Sequence, residues 1–265
     1  MALVDELFFS LPRWLWITSS LAFMCVVAIV CALSRKLTPV GAACSAAIGF
    51  IVLAALGFGG LVLLLLFFVP CSAVKRKDGT VHGPRKAVQV LANGLVATAA
   101  AILGMTGNMS SALLLFGTAV AEAASDTMAG EIGRRSARPP VSILTGLPVL
   151  PGMSGGVTPH GFAAGLGSSI VIAAAWHLLF EGTTWMGASA VAACGFAGCV
   201  FDSFLGASCQ AIYEDAEGKL TEEPETDGKV NKQVRGVRFM DNNMVNLVSN
   251  AASCALCLAL SSIVL

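Results

Sequence analysis

LLLFGTAVAEAASDTMAGEIGRR, residues 113–135, is the stretch on which the fold turns. It starts as a membrane span would start, and then carries Glu122, Asp126 and Glu131. A second stretch, GFAGCVFDSFLGASCQ at 195–210, places Asp202 in the same kind of setting. A carboxylate at bilayer depth costs about 2.5–3.5 kcal/mol on insertion scales, so each of these acids needs a partner or a function.

The surrounding composition supports the membrane setting. The chain has 265 residues, 56% of them hydrophobic and only 12% charged, with a mean hydropathy of +0.79. A soluble domain would carry about twice that charge. The first apolar run is long enough to span, and Asp5 and Glu6 precede it. Neither a cleavable signal nor a transit peptide is therefore expected. The nine cysteines lie mostly inside apolar runs, and the C-x-x-C at Cys254 and Cys257 reads as small packing residues.

Residues 14–33 form one uncharged run of span length. Residues 39–74 are twice that and break at Gly57-Phe58-Gly59-Gly60, which predicts a short hairpin of two helices. A further uncharged run, 87–121, breaks near 104–108, and the next helix is expected over 110–126, with Glu131 just past its end. Spans over 159–180, 187–206 and 246–265 follow, and the segment 213–243 is too polar to embed. The expected fold is all-α: a single integral membrane domain over 1–265, a polytopic helical bundle of about seven to eight spans with a Pro/Gly-rich cytoplasmic loop.

The basic residues test that count. Alternate loops hold every Lys and Arg of the 16 except Arg13, including Arg35, Lys36, Lys75, Arg76, Lys77, Arg85, Lys86, Arg134, Arg135 and Arg138. The positive-inside rule places those loops in the cytoplasm and the termini outside. Glu122, Asp126, Glu131, Asp202 and Asp241 fall at or beside the inner ends of spans. Acids and bases converging on one membrane face suit a water-soluble, charged co-substrate, whereas an ion path more often places carboxylates at mid-membrane. An echo, D-[ST]-x-x-G at 126–130 and again at 202–206, groups two of the acids.

Four motifs could carry chemistry. Glu122 and Asp126 lie four apart on one helix face, and carboxylates gathered without an obvious cation are candidate Mg²⁺ ligands. Pairing with Arg134 or Arg135 is the structural alternative. In KRKDGTVHGPRKAVQVLANG (75–94), Lys75, Arg76 and Lys77 read as a juxtamembrane charge cluster, while Arg85, Lys86, Gln89 and Asn93 put a polar stripe into an apolar helix. PPVSILTGLPVLPGMSGGVTPHG (139–161) is rich in proline and glycine, which lets backbone N–H groups approach an anion. Thr158 is its expected helix cap, Pro159 the first helical residue and His160 a possible phosphate contact. In MDNNMVNLVSN (240–250), Asp241 is a helix cap or a site residue, and Asn242 and Asn246 share a face. The acidic stretch 214–232 reads as a solvated turn or hairpin without chemistry.

RKAVQVLANG, ASDTMAGEIG, PGMSGGVTPHG, GCVFDSFLGASCQ and MDNNMVNLVSN, in this order, resemble an integral membrane family long labelled only as a domain of unknown function. That family includes animal transmembrane protein 19 and the plant phytyl-phosphate kinase. The resemblance covers most of the chain from about residue 41 onward. The stretch before the glycine pair, RPPVSILTGLPVLPG, matches the family's pattern only approximately.

The resemblance implies a Mg²⁺-dependent membrane kinase. It would transfer the terminal phosphate of a nucleoside triphosphate, with CTP the candidate donor, to a prenyl monophosphate such as phytyl phosphate. Asp126 and Glu131, with Asp202, Asp241 and Glu122, would hold Mg²⁺; Arg85 and Lys86 would clamp phosphates. Gln89, Asn93, Arg134, Gly155, Gly156, Thr158, His160, Asn242 and Asn246 would bind substrate or nucleotide. The competing readings are a transporter or flippase of an anionic lipid or small anion, and a cytidylyltransferase-like enzyme. No nucleic-acid partner is expected. The implied location is an endomembrane such as the ER or a prokaryotic plasma membrane, ahead of the plastid.

Overall fold

The computed structural model describes residues 2–74 and 83–260. The basic cluster Lys75, Arg76 and Lys77 and the last five residues of the expected final span lie outside the described residues. The helices are α1 (Ala2–Phe9), α2 (Arg13–Leu33), α3 (Pro39–Ala73), α4 (Ala87–Gly104), α5 (Met109–Gly133), α6 (Pro159–Leu179), α7 (Trp185–Ser208) and α8 (Asn242–Ala259).

Five of them, α2, α3, α4, α6 and α7, are long and apolar enough to cross a membrane. Helices α5 and α8 have the site's acids and asparagines among their apolar residues and belong to the same bundle.

The run 39–73 is not one straight rod. Gly57 has φ 68° and ψ −165°, a conformation open only to glycine, and the chain reverses there. The two halves run back on each other. Lys36 at the start donates to the Ser72 carbonyl at the finish (2.6 Å), and Leu53 and Leu61 share a small apolar cluster with Met24. This is the hairpin the glycine run predicted. Each half is about 24–27 Å long at 1.5 Å per residue, a little under the hydrocarbon thickness. The second half would begin with bare N–H groups. The Asp5 carboxylate of α1 accepts from the Phe58 N–H at 2.8 Å and caps it from 53 residues away in sequence.

Helix α5 is the axis of the bundle. Helices α3, α4, α6, α7 and α8 all pack on it, and its residues from Ala112 to Ser125 are buried almost without interruption. A helix buried all round needs small neighbours as well as apolar ones, and α5 supplies an Ala-rich surface. On its outer side, Trp176 of α6 fills the space beside α5 and donates its indole N–H to the Leu113 carbonyl (2.7 Å). The helix runs about two turns beyond the predicted end, so Glu131 lies in its last turn rather than after it. The helix continues through Gly130 and ends at Gly133, where the head of α6 packs closely: a Cβ on Gly133 would meet Thr158 Oγ1 at 3.3 Å.

The Pro/Gly-rich loop closes on itself through a short antiparallel pair, β1 (Val141–Ser142) with β2 (Gly156–Val157). The polar segment after α7 forms a three-stranded antiparallel sheet, in the order β4 (Leu220–Thr221), β3 (Ile212–Glu214), β7 (Lys232–Arg235). A two-stranded hairpin, β5 (Glu225–Thr226) with β6 (Lys229–Val230), extends from it. Helices α3, α6, α7 and α8 start from side-chain caps at Thr38, Thr158, Thr184 and Asp241. Asp5→Ala removes the cap on Phe58 and should cost about 1 kcal/mol. Gly57→Ala should cost more, about 1–3 kcal/mol of backbone strain. Thermal unfolding of the purified protein in detergent reads both, and an unchanged Tm in both variants would contradict the capped reversal.

Candidate functional site

Asp126 and Asp202 come from parallel-running helices, α5 and α7, and their carboxyl groups adjoin within hydrogen-bonding reach. They lie on the wall of a cavity of about 940 Å³ at the end of the bundle where the basic loops gather. That size is in the range of small-molecule sites. Arg85, just before α4, and Gln89 and Asn93 in its first two turns recur every four residues and line the cavity, so the polar stripe predicted here faces it. Arg85 is fixed at its backbone by Lys36 and Thr38, and its guanidinium reaches the Cys71 carbonyl at 3.5 Å.

The last turn of α5 adds Glu131 and Arg134, which pair with each other at 3.8 Å. Glu131 lies about 140° round the helix from Asp126 at 100° per residue, so the two do not share a face. The acid that meets Asp126 is Asp202.

Helix α8 supplies the amides. Asn246 stands 3.2 Å from Asn93 and, with its nitrogen turned toward the carboxylate, donates to Asp202 Oδ2 at 3.3 Å and to the Asn242 carbonyl at 2.8 Å. Asn242 also lines the cavity. Gly155 and Gly156 of the glycine loop and Thr158 at the head of α6 complete the wall. Gly155 has φ 78°, and a Cβ there would fall 2.4 Å from Ala207, so the loop can rest on the last turn of α7 only as glycine.

Glu122 sits one turn deeper and does not reach the cavity. It is 1% exposed, its two carboxylate oxygens accepting from Ser249 Oγ (2.8 Å) and Asn250 Nδ2 (2.6 Å) of α8. Ser249 Oγ is also 3.1 Å from Asp202 Oδ2. One hydroxyl therefore joins the buried acid to the cavity acid. Gly198 makes the room: a Cβ there would lie 2.5 Å from Glu122 Cγ. Among the described residues no group of three or more His, Cys, Asp or Glu side chains forms a metal cage.

Three other expected site residues lie elsewhere. Lys86 stands exposed at the cap position of α4, its N–H donating to Gln89 Oε1 (2.8 Å), and is off the cavity wall. His160 is exposed and off the cavity wall, beside Ser136 Oγ (3.2 Å), which lines the cavity. Asp241 is used as a cap, accepting from the Met244 N–H (2.8 Å). Three residues that the sequence reading passed over do belong. Glu222, in the stretch read as solvated, crosses to accept from the Ser154 N–H at 2.7 Å. Ser249 and Asn250 continue the stripe of Asn242 and Asn246 at helical spacing, a signal visible in the sequence as polar residues recurring on one face of an apolar helix.

A family model described as integral membrane protein DUF92 matches residues 22–254. An uncharacterized membrane protein of Methanocaldococcus jannaschii is 33% identical over 205 residues, which cover 74% of this chain and 82% of that protein. Protein PGR of Arabidopsis thaliana is 30% identical over 232 residues, 73% of this chain and 78% of the relative. No solved structure matches. Asn250→Leu, near in size, strips Glu122 of one donor and the Ala119 carbonyl of another. The expected loss is about 1–3 kcal/mol of stability, read as a lower Tm in detergent, against no change for lipid-facing Val248→Leu.

Proposed function

We propose that this chain, which belongs to the integral membrane DUF92 family, is a membrane-embedded kinase that phosphorylates a prenyl monophosphate from a nucleoside triphosphate. The observation that carries the reading is the adjoining pair Asp126 and Asp202, opening on a cavity whose other walls hold Arg85, Arg134 and a glycine loop. Carboxylates alone would suit a cation, and arginines with backbone N–H groups alone would suit an anion. Both together suit phosphates that arrive with a metal. The positive-inside rule puts this face in the cytoplasm, where nucleotides are.

The reaction asks little covalent work of the protein. A phosphomonoester is largely dianionic at neutral pH, its second pKa being about 6. One of its oxygens forms a bond to the γ-phosphorus of the nucleotide, and the bond from that phosphorus to the β–γ bridging oxygen breaks. The electron pair leaves with the nucleoside diphosphate. What the protein must do is hold two mutually repelling phosphate groups in line. Arg85 and Arg134 neutralise and orient them, the glycine loop offers N–H donors, and Asn246 fixes the Asp202 carboxylate.

The donor set fits Mg²⁺. Asp126 and Asp202 are hard oxygen ligands side by side, and Mg²⁺ takes one or two carboxylates plus substrate phosphates rather than an all-protein cage. When bound there, Mg²⁺ supplies charge neutralisation across the phosphates. Glu131, paired with Arg134, and Glu122, under the floor, are not in its reach on this reading. The lipid tail has an apolar flank beside the acids, where Phe201 and Phe204 of α7 are 41% and 46% exposed.

The test is transfer of terminal-phosphate label from CTP, ATP, GTP and UTP to phytyl and geranylgeranyl monophosphate by the purified protein, with and without Mg²⁺. Labelled prenyl diphosphate is expected with at least one donor and only with the metal. Asp126→Asn and Asp202→Asn should each lower kcat by on the order of 10²-fold or more, whereas Arg85→Ala should chiefly raise KM. No product with any donor, from folded protein, overturns the kinase reading. A product retaining the base makes the enzyme a nucleotidyl transferase.

A further inference from the structure

The Ser154 N–H belongs to the glycine loop, and an internal carboxylate holds it. Glu222 Oε1 accepts from that N–H at 2.7 Å, and both residues line the cavity. Arg134 and Arg138 line the same cavity, yet the Glu222 carboxylate is bonded to a backbone donor. The contact joins residues 68 apart in sequence and bridges two otherwise separate structures, the glycine loop and the sheet β3–β4–β7.

The position of this donor is fixed from below. Gly206, four residues after Asp202 on α7, lies against Ser154, where a Cβ would meet Ser154 Cβ at 3.0 Å. Ser154 is therefore held beside Gly206, the residue one helical turn beyond Asp202 on α7.

The sheet is anchored at its base, while the hydrogen bonds near its tip lie within the segment itself. Arg235 Nη2 donates to the Gly206 carbonyl (3.2 Å), and the Ala211 and Val237 N–H groups bond to Met240 and Cys209. Toward the tip, Asn231 is bound within the segment itself, to the Glu223 carbonyl (2.9 Å) and to Thr226 Oγ1 (2.8 Å). The bond from Glu222 to Ser154 thus latches a preformed flap onto the loop.

We propose that the Ser154 N–H is a seat for a phosphate oxygen and that Glu222 is its internal stand-in, displaced when a phosphate or diphosphate group enters. This rests on the phosphoryl-transfer reading of the cavity. A carboxylate oxygen and a phosphate oxygen are acceptors of the same kind for a backbone N–H, and both cannot occupy one donor. Like charge then drives the displaced Glu222, and the flap with it, away from the incoming anion.

The experiment is pyrophosphate binding to the full chain in detergent, by calorimetry, for wild type, Glu222→Gln and Glu223→Gln. Glu222→Gln should bind about tenfold more tightly, because its amide oxygen can still accept from the Ser154 N–H but is an uncharged and weaker competitor. Glu223→Gln, the same charge change at the next residue, should shift affinity far less. Amide hydrogen exchange gives a second readout: pyrophosphate should speed exchange across 212–235 in wild type, and Glu222→Ala, which leaves no acceptor for the Ser154 N–H, should exchange fast there without it. Equal or weaker pyrophosphate binding by Glu222→Gln, or a flap protected by pyrophosphate, overturns the seat. If that occurs while phosphoryl transfer proceeds, only the seat falls. If neither protein binds pyrophosphate, the seat and the phosphoryl reading fall together.

Discussion

The hydrogen bonding of Glu122 is the constraint on which the rest of the bundle depends. An ionisable group 1% exposed within a membrane helix must find its partners from other helices. It finds them on α8, in Ser249 and Asn250, while α7 gives way at Gly198 to admit the side chain. Three helices are thereby fixed against one another at one level. Because Ser249 also touches Asp202, the same bond network that makes the acid tolerable sets the height and orientation of the cavity floor. Stability and site geometry here are two consequences of one set of contacts.

Above that floor the cavity gathers its charges from several elements. Asp126 and Asp202 come from α5 and α7, Arg85 from just before α4, Arg134 from just after α5, and amides from α4 and α8. The helices that bear or adjoin them are packed together through the α5 axis. The repeated D-[ST]-x-x-G has a structural meaning in this arrangement. Each acid faces its partner across the α5–α7 interface, and each glycine lies one turn further on. Gly206 there carries the glycine loop, and Gly130 opens onto the cavity.

Much of this architecture could be read from the chain. Apolar runs separated by charged loops delimit the helices, and the glycines at 57–60 announce the reversal within α3. The cap at Thr158 and the stripe Arg85, Gln89, Asn93 follow from local chemistry and periodicity, which is why a sequence can carry them. The overrun of α5 was hidden because Gly130 and Gly133 are poor helix formers taken alone, and the close approach of the head of α6 to Gly133 is a tertiary contact. Lys86 and His160 were misplaced for a similar reason: residue type and neighbourhood suggested phosphate binding, but which way each turns is decided by helix phase and by local partners such as Ser136. The role of Glu222 was hidden altogether. Its stretch is acidic, glycine-containing and hydrophilic, as solvated loops are, and only the tertiary fold brings it 68 residues back to Ser154.

The cap on Phe58 bears on how the protein is assembled. Asp5 is made early, yet its acceptor role is fulfilled only when the second half of the α3 hairpin has been synthesised and has turned back at Gly57. Until then the start of that half-helix has unsatisfied N–H groups near the membrane surface. For the cap to form, the N-terminal segment and the hairpin tip must finish on the same side of the bilayer. Crossing of the first span and closure of the second and third are thereby coupled, through the Asp5–Phe58 hydrogen bond and the Phe8–Phe58 ring contact at the end of the bundle opposite the cavity.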